Sequence, residues 1–140
     1  MLKKLIGMVF VLLMVVAIQL PKAEAGYDQY YNGDSNYPLV YGHMGVAYYL
    51  DKSSATVLQD DSDGSKFAVN IITVNESGDI SNTQTFWYFR SNDESPSTAY
   101  TSSDGQKWKQ FRMNDTAGFM QVTVGGYKAG YYAAFGHGWF

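Results

Sequence analysis

The chain has no cysteine among its 140 residues. That excludes a disulfide framework, and it excludes a lipid anchor, since lipidation needs a cysteine directly after the cleavage point. Many small exported domains add disulfides to a small core; this one has packing alone. Histidine is almost as scarce, with only His43 and His137. Charged residues make up 16 % of the chain. After the N-terminal apolar run, no stretch is long enough to span a bilayer, so the mature chain is expected to stay out of the membrane.

What is present begins with an export signal. Met1-Leu2-Lys3-Lys4 is a short basic segment, and Leu5 to Ile18 follows without a charge. The apolar run falls short of the roughly 20 residues of a spanning helix. Pro21 ends it, and Ala23-Glu24-Ala25 supplies the small residues that the peptidase requires, so cleavage is expected before Gly26. Residues 1–25 are read as a signal peptide, and the protein as exported to the periplasm, cell surface or medium.

Cleavage leaves 115 residues, enough for one domain with a modest core. The mature chain carries 7 basic and 12 acidic side chains, a net −5. An acidic balance with scattered cations argues against nucleic acid or an anionic membrane as partner. Aromatic residues number 22 in the mature chain, 12 of them tyrosine. Such richness suits half-buried sheet surfaces, and exposed tyrosines suit contact surfaces.

Residues 26–37 (GYDQYYNGDSNY) are polar and turn-rich, and read as a flexible tyrosine-rich leader to a single domain over 38–140. Val46, Tyr48 and Leu50 alternate as in a strand. Asp51 to Ser54 reads as a turn anchored by Asp51, and Ala55 to Gln59 as a second short strand. Lys66 to Val74 has Phe67, Val69 and Ile71 on one face and Ala68, Ile72 and Val74 on the other. A strand apolar on both faces is central and covered on both sides. Ile80 to Arg90 is a second central strand, with Phe86 and Tyr88 opposite Trp87 and Phe89. Thr98 to Thr101 is short, and Lys107 to Met113 is an edge strand whose lysines discourage edge pairing. Phe119 to Val124 alternates like another strand. Tyr127, Tyr131, Ala134 and Phe135 then fall on one helical face, with Gly136 as C-terminal cap. The expected fold is α+β: a single antiparallel sheet of six to seven strands with a short C-terminal helix packed on one face.

No motif for catalysis stands out. There is no G-x-S-x-G elbow and no cysteine nucleophile. Glu76 and Glu94 both fall in loops, as do most aspartates. His43 and His137 each sit beside glycines, which would let a ligand approach; two unrelated histidines in turns is the preferred reading. The acidic loop Asp60 to Gly64 raises calcium, but aligning Gly64 with the invariant EF-hand glycine puts Gln59 at the first ligand position and Asn70 at the bidentate one. A solvated turn fits better. No cofactor and no metal are expected, and the chain is read as non-enzymatic.

Tyr48 to Val57 (YYLDKSSATV), Thr85 to Arg90 (TFWYFR) and Tyr100 to Phe111 (YTSSDGQKWKQF) are similar in layout to the surface-adhesin E-like family of small exported bacterial domains. Tyr37 to Ser54 also resembles uncharacterised exported proteins of diderm Firmicutes, to which no activity is attached. The resemblance spans roughly residues 37–135. It implies an antiparallel sheet with a helix, and binding of host protein or matrix at the cell surface. Members usually carry cysteines in their central and C-terminal parts; this chain carries none.

The expected function is an exported binding module that contacts a protein or glycan. Its surface would comprise the leader tyrosines, Trp108 with its neighbours Lys107 and Lys109, Tyr100 and His43. Two alternatives remain open. One is a periplasmic inhibitor of a lysozyme or protease that inserts Gly42–Gly45 or Asp60–Ser65 into a cleft. The other is a small hydrolase using His43 or His137.

Overall fold

The computed structural model describes residues 26–140. The expected signal peptide, with Ala23 and Ala25, lies outside the described residues.

Six strands form one antiparallel meander in chain order: β1 (Leu39–His43), β2 (Val46–Asp60), β3 (Gly64–Val74), β4 (Ile80–Ser91), β5 (Thr98–Ser102) and β6 (Lys109–Arg112). A helix, α1 (Met120–Phe135), packs across one face. The α+β expectation holds, with β6 at one edge. β1 and β2 join through Met44 (φ 50°) and Gly45 (φ 80°), the left-handed pair of a type I′ hairpin.

The main core lies between the sheet and α1. Leu50, Phe67, Val69, Ile71, Phe86, Tyr88, Ala99 and Phe111 point to the helix, which returns Val122, Val124, Tyr127 and Tyr131. The buried Tyr88 hydroxyl donates to the Thr123 carbonyl at 2.9 Å. That bond satisfies a polar group whose burial would otherwise be costly.

Three local expectations change. First, Asp51 to Ser54 is not a turn between strands. β2 runs through it, and register passes from Asp51 opposite Asn70 to Thr56 opposite Ala68. The extra residues form a bulge. Asp51 accepts from the Ser53 backbone and hydroxyl, and Ser54 Oγ accepts the Asn70 N–H at 2.7 Å. Asp51 thus anchors this segment, as a bulge within one strand.

Second, Phe119 to Val124 is not a strand; α1 begins at Met120. Six residues of alternation cannot distinguish a strand from a deeply buried helical turn. Gly125, Gly126 and Gly130, poor helix formers, let the helix lie close to the sheet. A Cβ at Gly126 would sit 2.6 Å from the Tyr88 hydroxyl and 2.7 Å from Ile71; one at Gly130 would sit 2.9 Å from Phe67. Gly136 (φ 76°) caps the helix as expected, its N–H bonded to the Tyr132 carbonyl.

Third, residues 26–37 are not a leader outside the domain. They fold back over the face opposite α1, hereafter the outer face. Tyr27, Tyr31, Tyr37 and Leu39 pack on a second cluster of Ala47, Tyr49, Ile72 and Val74. Backbone bonds fix the return: Tyr31 N–H to the Tyr37 carbonyl at 3.0 Å, and Leu39 N–H to the Gln29 carbonyl at 2.9 Å. The segment is polar in composition, yet its tyrosines bring rings to an apolar surface that would otherwise face water.

The close helix–sheet approach makes a decisive prediction. Alanine in place of glycine within a helix ordinarily stabilises by about 1 kcal/mol. At Gly126 the added methyl meets Tyr88 and Ile71, and overpacking of this kind costs about 1–3 kcal/mol. Gly126→Ala is therefore expected to lower the urea midpoint; a raised midpoint would show that α1 does not lie this close.

Candidate functional site

Strand alternation decides which aromatic residues remain available. Along β4, Phe86 and Tyr88 enter the core, while Trp87 and Phe89 face outward, half-buried. Phe89 pairs with Tyr100 on β5 and with Lys66 on β3, so these three share the outer face. Trp108, just before β6, joins them. The ring centroids of Phe89 and Tyr100 lie 6.1 Å apart at 35°, those of Phe89 and Trp108 6.4 Å apart at 70°. Lys66 Nζ lies 5.6 Å from the Phe89 centroid and 5.4 Å from that of Trp108. An ammonium over two rings is a cation–π arrangement, here at a half-exposed site. The result is an aromatic patch around one cation.

The patch is held from its margins. The Tyr100 hydroxyl donates to the Glu94 carboxylate at 2.8 and 2.9 Å, and this bond, followed by partial burial, pushes its pKa up. The loop entering Trp108 is pinned by Asp104. One oxygen of its carboxylate accepts from the N–H groups of Gln106 (2.8 Å) and Lys107 (2.9 Å) and from the Ser102 hydroxyl (2.9 Å). The bond from the Lys107 backbone, then that from Gln106, holds the Asp104 pKa below its usual value. Gly105 (φ 75°) passes over the Trp87 indole, its Cβ position 3.5 Å from the ring.

A polar seam separates this patch from the part of the outer face covered by residues 26–37. Thr85 Oγ1 donates to Asn70 Oδ1 at 2.7 Å, and Asn36 Nδ2 donates to Asp51 at 2.8 Å. Beyond that seam the rings are half-buried.

The structure brings together two of the residues expected from the sequence, Trp108 and Tyr100. Lys107 and Lys109 are exposed beside them but line a shallow cavity of about 230 Å³ on the helix side, with Gln84, Phe86 and Phe119. His43 is elsewhere. It stacks on Tyr41 at 6.1 Å, on the opposite edge strand. His137 packs on Tyr131 and Phe135 beyond the end of α1. His43 adjoins the Val74 end of β3, by register through Val46 and Ala47, whereas Tyr131 and Phe135 lie on Phe67 near its other end. The two histidines therefore do not share a site.

In the acidic loop, Asp61 accepts from the Gln59 side chain and from the backbone of Asp63 and Gly64, bonds that hold its pKa below the usual range. Among the described residues no group of three or more acidic, histidine or cysteine side chains is placed to hold a metal. Sequence reading missed Lys66 as a site residue. Only the register that sets it opposite Phe89 reveals it.

The lowered pKa of Asp104 sets the sign of a pH effect. Its contribution to loop order is present above the ordinary carboxylate value of about 4, and is lost as pH falls through the lower folded value. Tryptophan emission should therefore stay constant from neutral pH down to that ordinary value and shift only below it. Asp104→Ala should show the shift already at neutral pH, with an unchanged sheet signature in circular dichroism. Unaltered emission in the variant would show that Asp104 does not position the patch. A scan against protein-family models and searches of curated proteins and of solved structures find no match to this chain, so function is read from this geometry.

Proposed function

We propose that this protein is an exported, non-enzymatic binding module, adhesin-like in character, whose contact surface is the outer-face patch of Phe89, Tyr100 and Trp108 around Lys66, with Trp87 next along the same face of β4. The observation that carries this reading is a cluster of half-exposed aromatic rings gathered around one cation on the outer face of the sheet. Clustered tryptophan and tyrosine match the residue types that dominate protein contact energies. The tilts of 35° and 70° between rings favour a protein partner over a glycan, because a sugar stacks on a flat face and these rings do not share a plane. The resemblance to surface-adhesin E-like domains points the same way, towards a host or envelope protein outside the inner membrane.

A specific observation favours a second reading, an inhibitor that inserts a loop. Met44, 79 % exposed, forms the tip of the β1–β2 hairpin, and the Gly45 N–H beneath it is bonded to the Tyr27 hydroxyl at 2.8 Å. A braced apolar tip suits insertion into a cleft.

The test is a pull-down with residues 26–140, against the producing cell's envelope extract and against host matrix proteins. Trp108→Ala, at the patch, is expected to reduce capture at least about tenfold, as for a residue worth more than about 1.4 kcal/mol. Met44→Ala should leave it unchanged. Loss in Met44→Ala with capture retained in Trp108→Ala would select the inhibitor reading. No specific partner in either extract would overturn the binding-module reading.

A further inference from the structure

A second concavity lies on the outer face at the far end of the sheet, across the polar seam from the aromatic patch. It is an open cavity of about 390 Å³, bounded by residues 26–32, the β1–β2 turn and the β3–β4 turn. Three tyrosines line it, Tyr27, Tyr31 and Tyr49, together with the carboxylates Asp28 and Glu76. No lysine, arginine or histidine does.

Each tyrosine hydroxyl has one protein partner. The Tyr49 hydroxyl donates to the Asp28 carbonyl at 3.1 Å, the Tyr31 hydroxyl donates to the Gly78 carbonyl at 3.1 Å, and the Tyr27 hydroxyl accepts the Gly45 N–H at 2.8 Å. Tyr27 and Tyr31 are half-exposed and offer a ligand ring surface, while Tyr49 is buried beside them. The rings of Tyr31 and Tyr49 are packed 5.6 Å apart at 49°, and Tyr37 braces Tyr31 edge-on at 6.2 Å. The Glu76 side chain lies directly over Gly45, whose φ of 80° is the left-handed region that favours glycine. Asp28 is near enough to Tyr49 that its charge adds to burial in pushing the tyrosine pKa up.

Aromatic rings and carboxylates around a concavity with no resident cationic side chain select one ligand chemistry. Ring faces attract a cation, carboxylates neutralise it, and neither favours an anion. We propose that this cavity binds an organic ammonium group, held between the tyrosine rings and the Asp28 and Glu76 carboxylates. That chemistry has two sources: a free or protein-borne amine from outside, or the α-ammonium that the expected cleavage after Ala25 would create on Gly26, a residue lining the same cavity. The site is independent of the aromatic patch and of the protein that the patch would contact.

The experiment follows backbone amide shifts of residues 26–140 during titration with choline, with butylammonium and with 3,3-dimethylbutan-1-ol, the neutral isostere of choline. It is run on the chain with a free Gly26 amine and on the same chain N-acetylated. Saturable shifts at Gly45, Gly78 and Tyr49 with the two cations and not with the isostere are expected. Glu76→Gln, which keeps the shape over Gly45, should weaken choline severalfold, and Asp28→Asn with Glu76→Gln at least about tenfold. Thermal midpoints near that of the parent will show that the variants are folded. Binding to both chains identifies an external amine as the ligand; binding to the acetylated chain alone identifies the Gly26 amine as the resident cation. The isostere binding as well as choline, an unchanged affinity in the double variant, or no saturable shift in either chain would each overturn the proposal. The pull-down with Trp108→Ala is unaffected by any of these outcomes.

Discussion

The structure depends on one strand that is apolar on both sides. In β3, Phe67, Val69 and Ile71 face one way and Ile72 and Val74 the other. Neither set can be left to water, and there is no disulfide to compensate. Each face therefore needs its own cover. On one side α1 supplies it, brought close by glycines where the helix crosses Ile71, Tyr88 and Phe67. On the other side the cover is a tyrosine-bearing segment with almost no regular structure. Aromatic side chains do there what a second helix would do in a larger domain, and they bring hydroxyls that satisfy exposed turns on the way.

The two covers differ in reach. The helix crosses most of its face, whereas residues 26–37 protect only the corner built by β1, β2 and the end of β3. The hydrogen-bonded seam of Asn36, Asp51, Asn70 and Thr85 marks where protection stops. Beyond it the same alternation that buries Phe86 and Tyr88 leaves Trp87 and Phe89 outside. The open patch is thus a geometric consequence of a short cover on a wide sheet, and both proposed sites lie on this outer face, one under the cover and one past its limit.

Much of the fold was legible in the sequence because it is written in short-range alternation. The double-faced pattern of Lys66 to Val74 identified the central strand, and Gly136 identified the end of the helix. What failed depended on distant residues. Phe119 to Val124 reads as a strand until Gly125 and Gly126 are seen to face Val40 and Tyr88. Residues 26–37 read as a leader because asparagine, aspartate and glycine make up half of them, while their burial depends on Ala47, Tyr49, Ile72 and Val74 being exposed without them. The candidate site divided in the same way. Trp108 was legible from residue type and from its place beside an edge strand, and Tyr100 from residue type alone. Lys66 needed the β3–β4 register, and Glu76 over Gly45 needed two turns to meet.

The packed state of residues 26–37 is the central claim, because the double cover, the open patch and the ammonium cavity all follow from it. Amide hydrogen exchange of residues 26–140 tests it most directly. The account predicts slow exchange at Tyr31, Tyr37 and Leu39, whose N–H groups bond to Tyr37, Asp34 and Gln29. Exchange at these three amides as fast as in an unstructured peptide, alongside a protected β3, would contradict it.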